Sequence, residues 1–129
     1  MNILLDTHVI LWWWAEPEKL SSRVMTLVKD PANTIVVSAA SAWEISTKHR
    51  IGKLPQGGRI MQEWVDRLRI DRFVELTIHS VHAIRAGSIP SDHRDPFDRI
   101  IAAQSILEEY PVVSVDPSIS SLGAERIWE

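Results

Sequence analysis

Short apolar runs without alternation, separated by stretches whose apolar residues recur at helical spacing, set the pattern of this chain. Ile3-Leu4-Leu5 closes on Asp6, and its length and branching predict a strand buried on both faces of a parallel sheet. Val9 to Ala15 reads as a helix ended by Glu16-Pro17, and a second helix follows from about Glu18 to Val28, with Leu20, Val24, Leu27 and Val28 on one face. Asp30-Pro31-Ala32-Asn33 is a turn into a second buried strand, Thr34 to Ser38. A helix from Ala39 or Ser41 to Arg50 then stops near Gly52. After the loop Leu54-Pro55-Gln56-Gly57-Gly58, Ile60, Trp64, Val65 and Leu68 predict a helix from Arg59 to Arg69. Phe73 to Ile78 is a third strand, His79 to Gly87 a short helix, Pro96 to Glu109 a longer one, and Pro111 to Val115 the fourth strand. Ala124 to Trp128 is the candidate fifth. Alternating strands and helices imply an α/β fold with a mostly parallel sheet of four or five strands, covered on both faces. No repeat or linker divides residues 1–129, which read as a single domain.

Composition narrows the chemistry. The 129 residues are 45% hydrophobic and 24% charged, and contain no cysteine. A chain of this length buries roughly two-thirds of its unfolded surface, so one core suffices without disulfides. Zinc-thiolate sites and cysteine nucleophiles are excluded. The apolar start, MNILLDTHVILWWW, is interrupted by Asp6 and His8 and is too short to span a bilayer, so a cytoplasmic protein is expected. The formal net charge of −3 argues, at first sight, against a nucleic-acid partner.

The placement of the acids changes that. Asp6 ends the first strand and Asp116 the fourth, Glu44 lies early in the helix after the second strand, and Asp95 and Asp98 open the helix before the fourth. Ligands of open α/β sheets bind beyond the carboxyl ends of the strands, and the topology brings these five acids to that end. Each has an ordinary structural explanation as well. Ser41-Ala42-Trp43-Glu44 fits a capping box, Asp95-Pro96-Phe97-Asp98 fits an N-cap with proline at the first helical position, and Asp6 and Asp116-Pro117 fit caps or turns. Clustered carboxylates repel one another, however, and need a cation at neutral pH. Oxygen ligands without a thiol or a spaced histidine pair suit Mg2+ or Mn2+, ions that engage phosphates and activate water for phosphodiester hydrolysis.

The segments Leu4 to Trp13, Ser41-Ala42-Trp43-Glu44-Ile45, His93 to Gln104 and Val113-Ser114-Val115-Asp116 together resemble, in order and spacing, the PIN-domain ribonucleases. The greatest likeness is to the VapC toxins of bacterial toxin–antitoxin pairs, and it covers almost the whole chain. The resemblance implies a compact α/β/α sandwich and an acidic quartet, Asp6, Glu44, Asp98 and Asp116, holding one or two Mg2+ or Mn2+. Asp98 matches the third acid because it stands before the run Ile100-Ile101-Ala102-Ala103, with only Arg99 between, which leaves Asp95 an auxiliary role. Many relatives carry an aromatic a few residues after the last acid, where this chain has Ile119. The resemblance also implies RNA as substrate, a VapB-type antitoxin as partner, and a homodimer that joins it in a larger assembly.

Several neighbours admit two readings. Thr7 either orients Asp6 or a metal-bound water, or caps the following helix. His93, Arg94 and Arg99 either touch phosphate or, for Arg99, form a helical i,i+4 pair with Asp95. His8 reads as a packed histidine. Successive helical residues point about 100° apart, so at least one of Trp12, Trp13 and Trp14 is expected to be exposed or in an antitoxin or dimer contact. The competing functions are an inert PIN-like binding module, whose mark is loss of quartet acids, and a phospho-aspartate or phosphatase-type Mg2+ site. The latter needs a second Asp near Asp6 or a lysine after Asp116, and neither is present.

Without the five clustered acids, cations outnumber the remaining acids by two. Residues 48–72 hold a surplus of four, including Lys48 and Lys53, which reads as a solvated surface or as an RNA-contacting or antitoxin-docking rim. Net charge therefore does not exclude RNA.

Overall fold

The computed structural model describes residues 1–129. Five strands, β1 (Asn2–Leu5), β2 (Thr34–Ser38), β3 (Val74–Leu76), β4 (Val112–Val113) and β5 (Arg126–Ile127), form one sheet in the order β3-β2-β1-β4-β5. Every neighbouring pair is parallel. The helices are α1 (Thr7–Ala15), α2 (Ser22–Lys29), α3 (Ala39–Arg50), α4 (Gly57–Gln62), α5 (Trp64–Asp71), α6 (Ser80–Ser88), α7 (Pro96–Glu108) and the single turn α8 (Ser118–Ser121). None is long and apolar enough to cross a membrane.

Successive strand residues face opposite sides, so each strand feeds two cores. Ile3, Leu5, Ile35, Val37 and Val113 pack on one side with Val9 and Ile10 of α1, Val24 of α2, Ile60 of α4, and Trp64 and Leu68 of α5. Leu4, Val36 and Val112 pack on the other with Ala86 of α6, Ile101 and Ala102 of α7, and Ile119 of α8. The result is the expected α/β/α sandwich. Burial of β1 on both faces is why its sequence runs apolar without alternation.

Boundaries moved where capping or tertiary contacts intervened. The single helix expected over 18–28 is a 3-10 turn (Pro17–Lys19) followed by α2, because the Ser21 hydroxyl accepts from the Val24 N–H at 3.2 Å and starts a new helix. The helix expected over 59–69 begins earlier, at Gly57, and has a one-residue break at Glu63. The third strand starts at Val74, since the Phe73 N–H closes the end of α5 on the Leu68 carbonyl while Arg72 takes a left-handed conformation. β4 keeps two residues, with Leu4 N–H to Pro111 O and Ser114 N–H to Ile127 O continuing the ladder at its ends. The turn α8 was not anticipated.

The tryptophan run is also different from expectation. Trp12, Trp13 and Trp14 are all half-buried and packed against their own chain. The Trp13 and Trp14 indoles both donate to Asp71 Oδ2, at 3.1 and 2.7 Å, while Trp12 meets Trp128 edge-on. Three directions on α1 can be filled because α5 and the C-terminal tail wrap the end of that helix.

Candidate active site

The parallel register puts the carboxyl ends of β1, β2 and β4 side by side, and the acids enter from there. Asp6 is the N-cap of α1, its Oδ1 accepting from the Thr7 N–H at 2.8 Å. Its Oδ2 accepts from the Ser114 hydroxyl at 2.6 Å. The carboxyl is 4% exposed, and burial raises its pKa against the pull of those hydrogen bonds and of nearby His8, with the Glu44 charge adding to the rise.

Glu44, on α3, is 3% exposed and forms an ion pair with Lys48 one turn later. Lys48 holds Oε2; Oε1 is buried without any hydrogen-bond partner. Burial opposes the charge on Lys48, but the hydrogen bond and charge of Glu44 and the charges of Asp95 and Asp98 outweigh it and hold its pKa above the usual lysine value. Asp98, in the first turn of α7, binds His93 Nε2 through Oδ2 at 2.9 Å. Its pKa is pushed up to about 6, first by burial and then by the charges of Asp95, Asp6 and Glu44. The charges acting on Asp6, Asp98 and Lys48 mark Asp6, Glu44, Asp95 and Asp98 as one electrostatic cluster.

Asp116 is a member by position but not by environment. It is exposed, accepts from the Ser118 N–H at 2.9 Å, and is held below the usual carboxylate range first by that bond, with His93 and His8 contributing. Ser114 links the two settings, donating to Asp6 and accepting from the Asp116 N–H at 3.1 Å. Ser114 was missed by sequence reading. Its signal was a lone hydroxyl between Val113 and Val115 in a buried strand, two residues before an acid.

The α3 cap, Thr7, Arg99 and His8 differ from the expectations drawn from spacing. The Ser41–Glu44 capping box does not form: Ser38 caps α3, accepting from the Ala40 N–H at 3.0 Å, so Ser41 falls inside the helix and its hydroxyl meets that of Thr7 at 2.9 Å. Thr7 is consequently a brace behind Asp6, and the cap is Asp6 itself. Arg99 does not pair with Asp95. Its guanidinium donates to the carbonyls of Ala86, Ile89, Ser91 and His93, stitching the connection between α6 and α7. His8 is exposed, its ring 6.0 Å from that of Trp12. Arg94 and Lys53 are exposed, and His93 is engaged with Asp98. Asp95 caps α7 as expected, accepting from the Phe97 and Asp98 N–H groups at 2.9 and 3.3 Å.

No three of the His, Asp and Glu side chains stand, as they are, in an arrangement that could hold a metal ion. The donor set still fits a hard divalent cation. It is all carboxylate oxygen, it includes the buried and unpartnered Oε1 of Glu44, and one lysine ammonium stands against several acids whose charges help to raise the pKa of Asp6 and Asp98.

The PIN-domain family profile matches residues 3–125. The chain belongs to the PIN-domain family. This PIN domain is 28% identical over 121 residues, 93% of its length and 91% of the relative's, to Ribonuclease VapC22 of Mycobacterium tuberculosis. It is 39% identical over 72 residues, 54% of its length and 51% of the relative's, to Ribonuclease VapC16 of the same organism. Its fold is similar to that in the crystal structure of VapBC2 from Rickettsia felis bound to a DNA fragment from their promoter, with a TM-score of 0.68 at 17% identity and full coverage of both chains.

Proposed function

We propose that this PIN domain is a Mg2+- or Mn2+-dependent endoribonuclease, the toxin of a toxin–antitoxin pair acting in the cytoplasm. The observation that carries the reading is the carboxylate cluster at the carboxyl end of the sheet, in which Asp6 and Asp98 are raised by burial and neighbouring charge, with all four quartet positions acidic. Kinship to two proteins named ribonucleases supports it. In this reading Asp6, Glu44, Asp98 and Asp116 hold the ion. When bound, the ion polarises a water and offsets charge at the scissile phosphate.

The chain's own groups do the rest. Ser114 and the Thr7 amide fix both oxygens of Asp6, Lys48 fixes one oxygen of Glu44, and His93 fixes one of Asp98. Each acid thereby enters the site in one orientation, which removes reorganisation that catalysis would otherwise need. Asp95 caps α7 and adds negative charge beside Asp98. Arg94 and Lys53, exposed at the rim, reach RNA phosphates.

A VapB-type antitoxin and a second copy of the chain are the proposed partners. With Trp13 and Trp14 tied to Asp71, the exposed Val81 and Ile84 of α6 offer a better contact surface for a protein partner. The test of activity is cleavage of single-stranded or looped RNA by purified protein with Mg2+ or Mn2+ and with excess EDTA. Cleavage should need the ion and vanish in Asp6→Ala and Asp98→Ala proteins that keep their circular dichroism. Cutting that persists in EDTA overturns the metal mechanism.

A further inference from the structure

Beside the acidic cluster lies a groove between α1 and the turn that joins α3 to α4, enclosing about 300 Å³. That is at the lower end of the volumes that hold a small organic group, about 300–1,000 Å³. Leu11, Trp12 and Leu54 make its apolar wall, and Lys48, Lys53 and the Gln56 amide face it. Two shared residues join it to the acids: Lys48 pairs with Glu44, and Thr7, also on its lining, carries the amide that binds Asp6.

Local backbone explains why these groups meet. Gly52, at φ +81°, ends α3 in a left-handed turn, and the Lys53 N–H closes on the Lys48 carbonyl at 2.9 Å, bringing the two lysines together. Gly57 and Gly58 let the start of α4 come so near α3 that a Cβ at either would lie 3.1 Å from His49, which sets Leu54 and Gln56 opposite α1. The one acid on the groove, Glu16, is already paired with Lys19 at 3.2 Å.

We propose that this groove seats one nucleotide of a single-stranded RNA next to the cleaved bond, its base against Leu11, Trp12 and Leu54, its phosphate on Lys53, and its base edge read by Gln56. The inference rests on the ribonuclease reading above and adds to it a place where base identity is sensed. Unpaired bases are taken up on apolar and aromatic surfaces and hydrogen-bonded along their edges, while lysines meet the backbone. Three apolar side chains with cations at the mouth suit a ring bearing an anion; they are too short a trough for a helix.

The test is fluorescence anisotropy of a short labelled single-stranded oligoribonucleotide in EDTA, with cleavage in Mn2+ measured in parallel. Lys53→Ala should weaken binding on the order of five-fold and reduce the salt slope by about 0.7, the value for one phosphate contact. Gln56→Ala should leave that slope unchanged and compress the difference in affinity between oligo-U and oligo-A. Trp12→Phe should remove the part of the tryptophan quenching that RNA addition causes. Arg69→Ala, at an exposed position of α5, should change none of these. A groove that takes a peptide instead leaves RNA affinity and salt slope untouched in Lys53→Ala, and the proposal falls while wild-type cleavage stands. Wild-type protein that neither binds nor cuts RNA removes the ribonuclease reading and this inference together.

Discussion

Asp6 and Asp116 both lie beyond the carboxyl ends of paired parallel strands and differ in almost everything that matters chemically. Asp6 directly follows β1 and Asp116 stands three residues past β4, and each accepts a backbone N–H from the segment that follows. Asp6 is then roofed by α3 and α7, which bring Glu44 and Asp98, and its pKa rises. Asp116 is followed by the single turn α8, which leaves it exposed, and the Ser118 N–H lowers its pKa. A strand end supplies a position; the elements that return over it supply the electrostatics.

The sharpest break of that comparison is a pair of isosteric amides. Asp6→Asn should take metal-dependent RNA cleavage below detection in single-turnover assays, whereas Asp116→Asn should cost roughly 10–100-fold, the range for groups that tune a metal site from its edge. Equal losses would mean that burial does not separate their roles.

Next in size is Ser114, the hydroxyl the two aspartates share. Ser114→Ala should lower cleavage roughly 10-fold or more. It should also cost about 1–3 kcal/mol in urea unfolding, because Asp6 Oδ2 loses its donor while buried. The equivalent removal for Asp116, Ser118→Ala, leaves the backbone donor in place and should be near neutral.

A pH series sharpens the contrast without a mutation. The folded chain holds the Asp98 proton more tightly than the unfolded one, with a pKa of about 6 against 3.8. Its contribution therefore favours the folded state at low pH and is lost as pH rises from about 4 to above about 6. In EDTA the thermal midpoint should fall across that window, and Asp98→Asn should flatten the fall. Stabilisation by Mn2+ should grow across the same window, since the ion needs the ionised carboxylate. Asp116 acts with the opposite sign: its lowered pKa stabilises above about pH 4 and is lost on acidification, weakly because the group is exposed.

The smallest effect concerns capping alone. Asp95→Ala removes the acceptor for two N–H groups at the start of α7 and should cost about 1 kcal/mol of stability, with a modest loss of cleavage. Asp95→Asn should restore most of the stability.

The strands, the order of elements and the end of the sheet where the acids gather were legible because buried parallel strands and helix stops leave local marks: Ile3-Leu4-Leu5, Thr34 to Ser38, Gly52, Asp95-Pro96. What misled were residues with two eligible partners. Ser38 and Ser41 are equally good caps on paper, and only the packing of α3 against α1 chose Ser38 and turned Ser41 toward Thr7. Arg99 is spaced for Asp95 along a helix, yet the connection from α6 offered four carbonyls within its reach. The tryptophans of α1 found cover because Asp71, Phe73 and Trp128, all distant in the chain, arrive around them.

By itself the sequence determined the α/β fold, the family likeness and which acids reach the crevice, because hydrophobic period and helix stops act over a few residues. Only the tertiary structure decided how the charges are held: Glu44 by Lys48, Asp98 by His93, Asp6 by Ser114 from 108 residues away. Burial and hydrogen-bond partners depend on which surfaces the returning helices cover, and that is a property of the whole packed chain.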